Sequence, residues 1–145
     1  MRALLMFAAL AAGTAAAAQG NVSPQDKVLT SSMATTLTTV NVGKPLWALN
    51  AQCAGAFGAS YQRTLALKGM QAAEADKQTG VAMLNTALAR LQADRGIGRA
   101  DATELVKVEI EAGRAKAREY MSDGTGAYTP WNFLRSTCLD MAALG

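Results

Sequence analysis

Apolar side chains recur along this chain at intervals of three and four, and period-two alternation is scarce, so the pattern predicts helices. Leu46, Leu49, Cys53, Phe57, Tyr61 and Leu65 form one stripe, opened by Pro45 and closed near Gly69. Met70, Ala73, Lys77, Val81, Leu84, Leu88 and Leu91 continue at helical spacing to about Asp94, with Gly80 as an interruption. The segment Arg95–Arg99, RGIGR, breaks the pattern. A third helix is expected from about Ala102 to Met121, with Asp101 and Glu104 as a capping pair. Leu105, Val108, Ala112 and Ala115 make one stripe on it, and Val106, Ile110, Ala117 and Met121 lie beside that stripe. Thr129 as N-cap and Pro130 at the first helical position open a last helix carrying Trp131, Leu134, Cys138 and Met141.

Upstream, Ser23, Pro24 and Asp26 stand in capping-box register before Leu29, Met33, Leu37 and Val40. They predict a weaker helix from about Pro24 to Asn41. Its many threonines lower helix propensity, and a strand over Thr35–Val40 is the alternative. Short turns favour antiparallel neighbours. The expected fold is therefore all-α: an up-and-down bundle of about four main helices plus a weaker N-terminal helix. Residues 19–43 form a polar N-terminal segment and 44–145 the bundle core, together one domain.

The first residues read differently. Arg2, an apolar run from Ala3 to Gly13, and Ala16-Ala17-Ala18 before Gln19 have the form of a cleavable signal peptide over 1–18. The run falls short of the roughly 20 residues that span a bilayer. An uncleaved anchor is the alternative. Loss of Arg2 takes Lys+Arg from 14 to 13 against 11 Asp+Glu, a net charge of +2. Both signs are interspersed, and no basic block marks a nucleic-acid arm. We expect no nucleic-acid partner, no membrane span after cleavage, and a periplasmic or secreted location.

The chain has no histidine. Ser-His-Asp and Cys-His catalysis are excluded, as are His-ligated metal sites. Two cysteines are too few for a four-thiolate centre. No catalytic residues, metal or cofactor are expected. Glu104, Glu109 and Glu111 could pair for acid–base work, but the stretch Glu109–Tyr120, EIEAGRAKAREY, reads better as a solvated face. GIGR, from Gly96 to Arg99, lacks the lysine and spacing of a phosphate loop.

Cys53 and Cys138 each lie on an apolar stripe. In an oxidising compartment an even cysteine count points to a bridge; buried free thiols are the alternative. Ala51, Ala54, Gly55, Gly58 and Ala59 surround Cys53 with little bulk, as close helix packing requires. Trp47, Phe57, Tyr61, Trp131 and Phe133 are candidate pocket or interface aromatics, or ordinary core. Met70, Met83 and Met121 could form adaptable pocket walls.

The Ala-rich leader, the stretch CAGAFGASYQ after a tryptophan, and the short last helix with the second cysteine resemble small exported two-cysteine helical proteins of proteobacteria, a group with no assigned activity. The resemblance implies a periplasmic location and supplies no catalytic residues. Looser likenesses run to four-helix periplasmic cytochromes, though the Cys-x-x-Cys-His motif is missing, and to small two-cysteine acid chaperones. The expected function is non-enzymatic: binding a protein partner in the cell envelope, or envelope assembly or stress defence. A carrier of a small apolar ligand or lipid is the alternative.

Overall fold

The computed structural model describes residues 22–122 and 129–144. The leader expected at 1–18, with its cleavage site, lies outside them, as does most of the loop expected after Asp123-Gly124. The described residues form four α-helices: α1 (Leu46–Lys68), α2 (Met70–Arg95), α3 (Arg99–Ser122) and α4 (Pro130–Ala143). The all-α bundle read from the sequence is the observed fold. Among the described residues no helix is long and apolar enough to cross a membrane.

Helix α1 is the centre. Nearly every residue from Leu46 to Ser60 is buried, because α2 and α3 both pack along it and α4 covers part of a further face. Gly69 alone separates α1 from α2, at φ 87° and ψ 176°. That backbone state is open to glycine and disfavoured for other residues, so it reverses the chain in one residue. Gly96 ends α2 in the left-handed conformation, its N–H bonded to the Gln92 carbonyl. Helix α3 starts at Arg99, earlier than expected, and Asp101 lies in its first turn rather than at its cap. Helix α4 starts as its sequence dictates: the Thr129 Oγ1 accepts the Asn132 N–H at 3.2 Å, with Pro130 next in line.

Two stripes are corrected by packing. On α2 the buried face is Ala73, Met83, Ala87, Leu88 and Leu91, whereas Met70 and Val81 are exposed. Gly80 belongs to that face. A methyl there would lie 3.4 Å from the Phe57 Cβ and 3.5 Å from the Ala54 carbonyl oxygen. On α3 the buried line is Ala102, Val106, Gly113, Ala117 and Met121, and Val108 points to solvent. Small residues share both interfaces with the large ones, and at Gly80 and Gly113 they let α2 and α3 approach α1.

The helix expected over Pro24–Asn41 does not form; one 3-10 turn, Thr39–Asn41, is its helical content. The capping-box bond is present, the Ser23 N–H donating to Asp26 Oδ2 at 3.0 Å, but no helix propagates from it. Threonine hydroxyls bind local backbone instead: Thr38 Oγ1 accepts the Thr35 N–H at 2.8 Å, and Thr39 Oγ1 donates to the Thr35 carbonyl at 2.8 Å. Such bonds compete with helix formation. The segment is a strap. Its Lys27–Leu29 stretch runs antiparallel to Gly43–Leu46, with Leu29 N–H to Lys44 O at 2.9 Å and Gly43 N–H to Leu29 O at 2.8 Å. Leu29 is fully buried against Leu46, Leu49 and Met141.

Candidate functional site

Three arrangements bring together the residues singled out in the sequence. The first is the bridge. Cys53 of α1 and Cys138 of α4 form a disulfide with a Cα separation of 5.5 Å. Both are buried, within a cluster containing Ala54, Phe57 and Met83 and flanked by Leu84 and Leu134. Helix α4 meets α1 and α3 only over short stretches, so the covalent link fastens the least embedded helix to the most embedded one. A sulfur shielded this way is a poor target for external thiols, because exchange requires access.

The second is the small-residue face, and it serves a different partner from the bridge. Gly55 sits against α3, not α4. A methyl built on it would lie 1.9 Å from the Ile110 carbonyl oxygen. Reciprocally, a methyl on Gly113 would lie 1.9 Å from the Gln52 carbonyl oxygen. The two backbones touch at these glycines, and Gln52 Nε2 donates to Glu109 Oε2 at 2.7 Å beside them. Ala51, Ala54 and Ala59 are buried, while Gly58 is half-buried with open space where a methyl would stand. The close crossing and the disulfide thus occupy separate faces of α1.

The third is a clamp at the other end of the chain's fold. Asp26 of the strap accepts from Arg95 of α2 through both guanidinium edges, Nε to Oδ1 at 2.9 Å and Nη2 to Oδ2 at 2.8 Å. The carboxylate is fully shielded from solvent. Arg95 also lies over the Trp47 ring at 5.4 Å. Burial alone would push the Asp26 carboxyl up. The hydrogen bonds from Arg95 and Ser23, the nearby Trp47 indole and the Arg95 charge outweigh it and hold the group below the usual carboxylate value. The Trp47 Nε1–H itself closes no hydrogen bond of normal geometry. Arg95 is held correspondingly above its usual value, chiefly by the hydrogen bond to Asp26. Next to this pair, the Lys27 N–H donates to Asp94 Oδ2 at 2.9 Å.

The aromatics do not converge on a slot. Trp47 and Phe57 are core residues, Trp131 meets Phe57 edge-on at 6.1 Å, Tyr61 is half-buried and Phe133 is exposed. The methionines are likewise scattered: Met83 and Met121 are buried and Met70 is exposed. A shallow open hollow of about 600 Å³ lies between α1 and the end of α3, lined in part by Gln62, Arg63, Arg118 and Met121. Arg63 is engaged there, donating to the Met121 carbonyl at 3.0 Å. The three glutamates considered for acid–base work are paired separately: Glu104 with Lys107 at 2.6 Å, Glu109 with Gln52, and Glu111 with Arg114. Among the described residues no group of three or more potential ligands could hold a metal ion.

Sequence alone does not reveal the pairing of Asp26 with Arg95 or the packing role of Gly113. Asp26 and Arg95 are 69 positions apart and nothing local ties them. Gly113 could have been found as an unexplained glycine in a strong helical stretch, which needs a packing reason. No protein-family model, curated protein or solved structure matches this chain.

Proposed function

We propose that the protein is a non-enzymatic, exported helical protein that binds another protein of the cell envelope, with the strap as its contact face. One observation carries this reading. Between Val22 and Val42 five large aliphatic side chains are exposed: Val22, Val28, Met33, Val40 and Val42, with Val40 reaching 79%. Exposed apolar residues scattered singly are ordinary, whereas a contiguous patch marks an interaction surface; we infer that the strap gathers these five into one. The clamp and the buried Leu29 hold that segment in place, so its outward side chains are presented by an ordered backbone. The Cys53–Cys138 bridge supports an oxidising compartment, in keeping with the leader read from 1–18.

A carrier of an apolar ligand has less support. The α1–α3 interface has no room between its backbones at Gly55 and Gly113, and the hollow beside it is open and lined by two arginines.

Site-specific photo-crosslinking tests the proposal in the native cell. A crosslinker at position 40 should give one discrete protein adduct, lost when Val22 and Val42 are changed to aspartate. The same crosslinker at position 108, on the solvent-exposed side of α3, should give none. Equal labelling from both positions would refute a dedicated strap face.

A further inference from the structure

Opposite the strap, the α1–α2 hairpin ends in a different kind of surface. From Tyr61 to Lys68 no residue of α1 is buried, and in α2 only Ala73 is buried before Met83. At the turn itself Leu67 and Met70 are each 70% exposed, on either side of Lys68 and Gly69. Arg63 and Lys68 lie in the run from Tyr61 to Ala73, and the acidic residues that follow on α2 are matched by cations: Glu74 lies 4.0 Å from Lys77 and Asp76 3.8 Å from Arg135. The end of α3 stops short of the tip, level with Gln62 and Arg63, since Arg63 bonds the Met121 carbonyl and Arg118 reaches Gln62 at 3.4 Å. It adds Lys116 and Arg118 against Glu119. Helix α4 starts here too: Trp131 packs beside Ala59 and Met121, and Phe133, 56% exposed, follows it.

We propose that this end of the bundle docks on the surface of an anionic phospholipid bilayer, with Leu67 and Met70 entering the headgroup–acyl boundary. The chemistry is that of an interfacial anchor: protruding apolar side chains with Lys68 between them, and Arg63, Arg118 and aromatic residues further back along the helices. Lys68 stands between the two apolar residues. Its aliphatic stem can lie along the boundary while the ammonium stays among the phosphates. The basic excess selects an anionic surface over a zwitterionic one. Along α1 the hairpin tip and the strap are separated by about 34 Å, at 1.5 Å per residue. The protein can therefore hold a lipid surface at one end while the strap stays free at the other.

Sedimentation with vesicles tests this on the whole purified protein. It should co-sediment with equal mixtures of phosphatidylcholine and phosphatidylglycerol at low salt, and not with phosphatidylcholine alone. Leu67→Ser with Met70→Ser should cut binding at least about tenfold, given the apolar surface lost. Lys68→Gln with Arg118→Gln should cut it about 25-fold, at about fivefold per basic side chain. Val108→Ser, on an exposed apolar side chain elsewhere, should leave it unchanged. All these positions are exposed, so the helical circular-dichroism signal and Tm should stay at wild-type values. Failure of the wild type to sediment with the anionic vesicles would overturn the proposal, as would sedimentation insensitive to both double variants. A protein adduct captured from position 67 without vesicle binding would assign the surface to a protein and equally overturn it. Crosslinking at position 40 reads the strap independently of any of these outcomes.

Discussion

Gly55→Ala and Gly58→Ala add the same methyl to the same helix, and opposite changes in stability are expected. At Gly58 a methyl meets nothing within 4 Å. The substitution there should gain most of the roughly 1 kcal/mol by which alanine exceeds glycine in a helix. At Gly55 the methyl falls 1.9 Å from the Ile110 carbonyl oxygen and 2.8 Å from its carbonyl carbon. Side-chain carbons essentially never approach closer than 3.0 Å, so α1 and α3 must part by at least the difference, 1.1 Å. Both obstacles are backbone, and no rotamer change relieves them. Overpacking of this kind costs about 1–3 kcal/mol or more. Taking about 3 kcal/mol and returning about 1 kcal/mol of propensity leaves a net loss of about 2 kcal/mol. For a domain of this size that is a fall in Tm of about 8 °C, against a rise of about 4 °C for Gly58→Ala. Urea unfolding followed by circular dichroism at constant m-value measures both. Shifts of the same sign at the two positions would refute the backbone contact.

Gly113→Ala should behave like Gly55→Ala, and the double variant should lose less than the sum in the same urea assay, because one separation of the helices relieves both contacts. Asp26→Asn should destabilise across neutral pH. The folded carboxyl is held below its ordinary value, so its stabilisation is complete above the unfolded value of about 3.9 and lost as pH falls through the lower folded value. The stability gap between wild type and Asp26→Asn should close on acidification, and a gap that widens would contradict the clamp. Cys53→Ala, Cys138→Ala and the double variant should each lose a similar amount, up to about 4–5 kcal/mol for a bridge closing a loop of this length, because the same bond is broken in all three; thermal melts check this. Thr129→Ala should cost about 1 kcal/mol through loss of the α4 cap, measured the same way.

Much of the architecture was legible because it is locally encoded. Thr129-Pro130 marks the start of α4, Gly69 the end of α1, and the two cysteines lie on stripes that do face each other. What failed was a weighting by side-chain size. Met70 and Val81 look like core, yet they are exposed, and Ala73, Gly80 and Ala87 join Met83, Leu88 and Leu91 on the face that meets α1. The strap failed for another reason. Ser23 and Asp26 carry a sound helix-start signal, and its hydrogen bond forms. The rest of Asp26 is claimed by Arg95 from the far end of α2, and the threonines that follow satisfy their backbone locally. Tertiary contact overrode a weak propensity. The bridge and the small-residue face were both foreseen, but as one crossing; only the three-dimensional packing separates α4 on one from α3 on the other.

The Cys53–Cys138 bridge closes the bundle, and export is what we propose for it. Peptide mapping by mass spectrometry tests it most directly, on protein taken from native cells into a thiol-blocking reagent and fractionated by compartment. Extracytoplasmic protein beginning at or near Gln19 is expected, with the Cys53 and Cys138 peptides joined and neither cysteine blocked. Cytoplasmic protein beginning at Met1, with both cysteines carrying the blocking reagent, would contradict it.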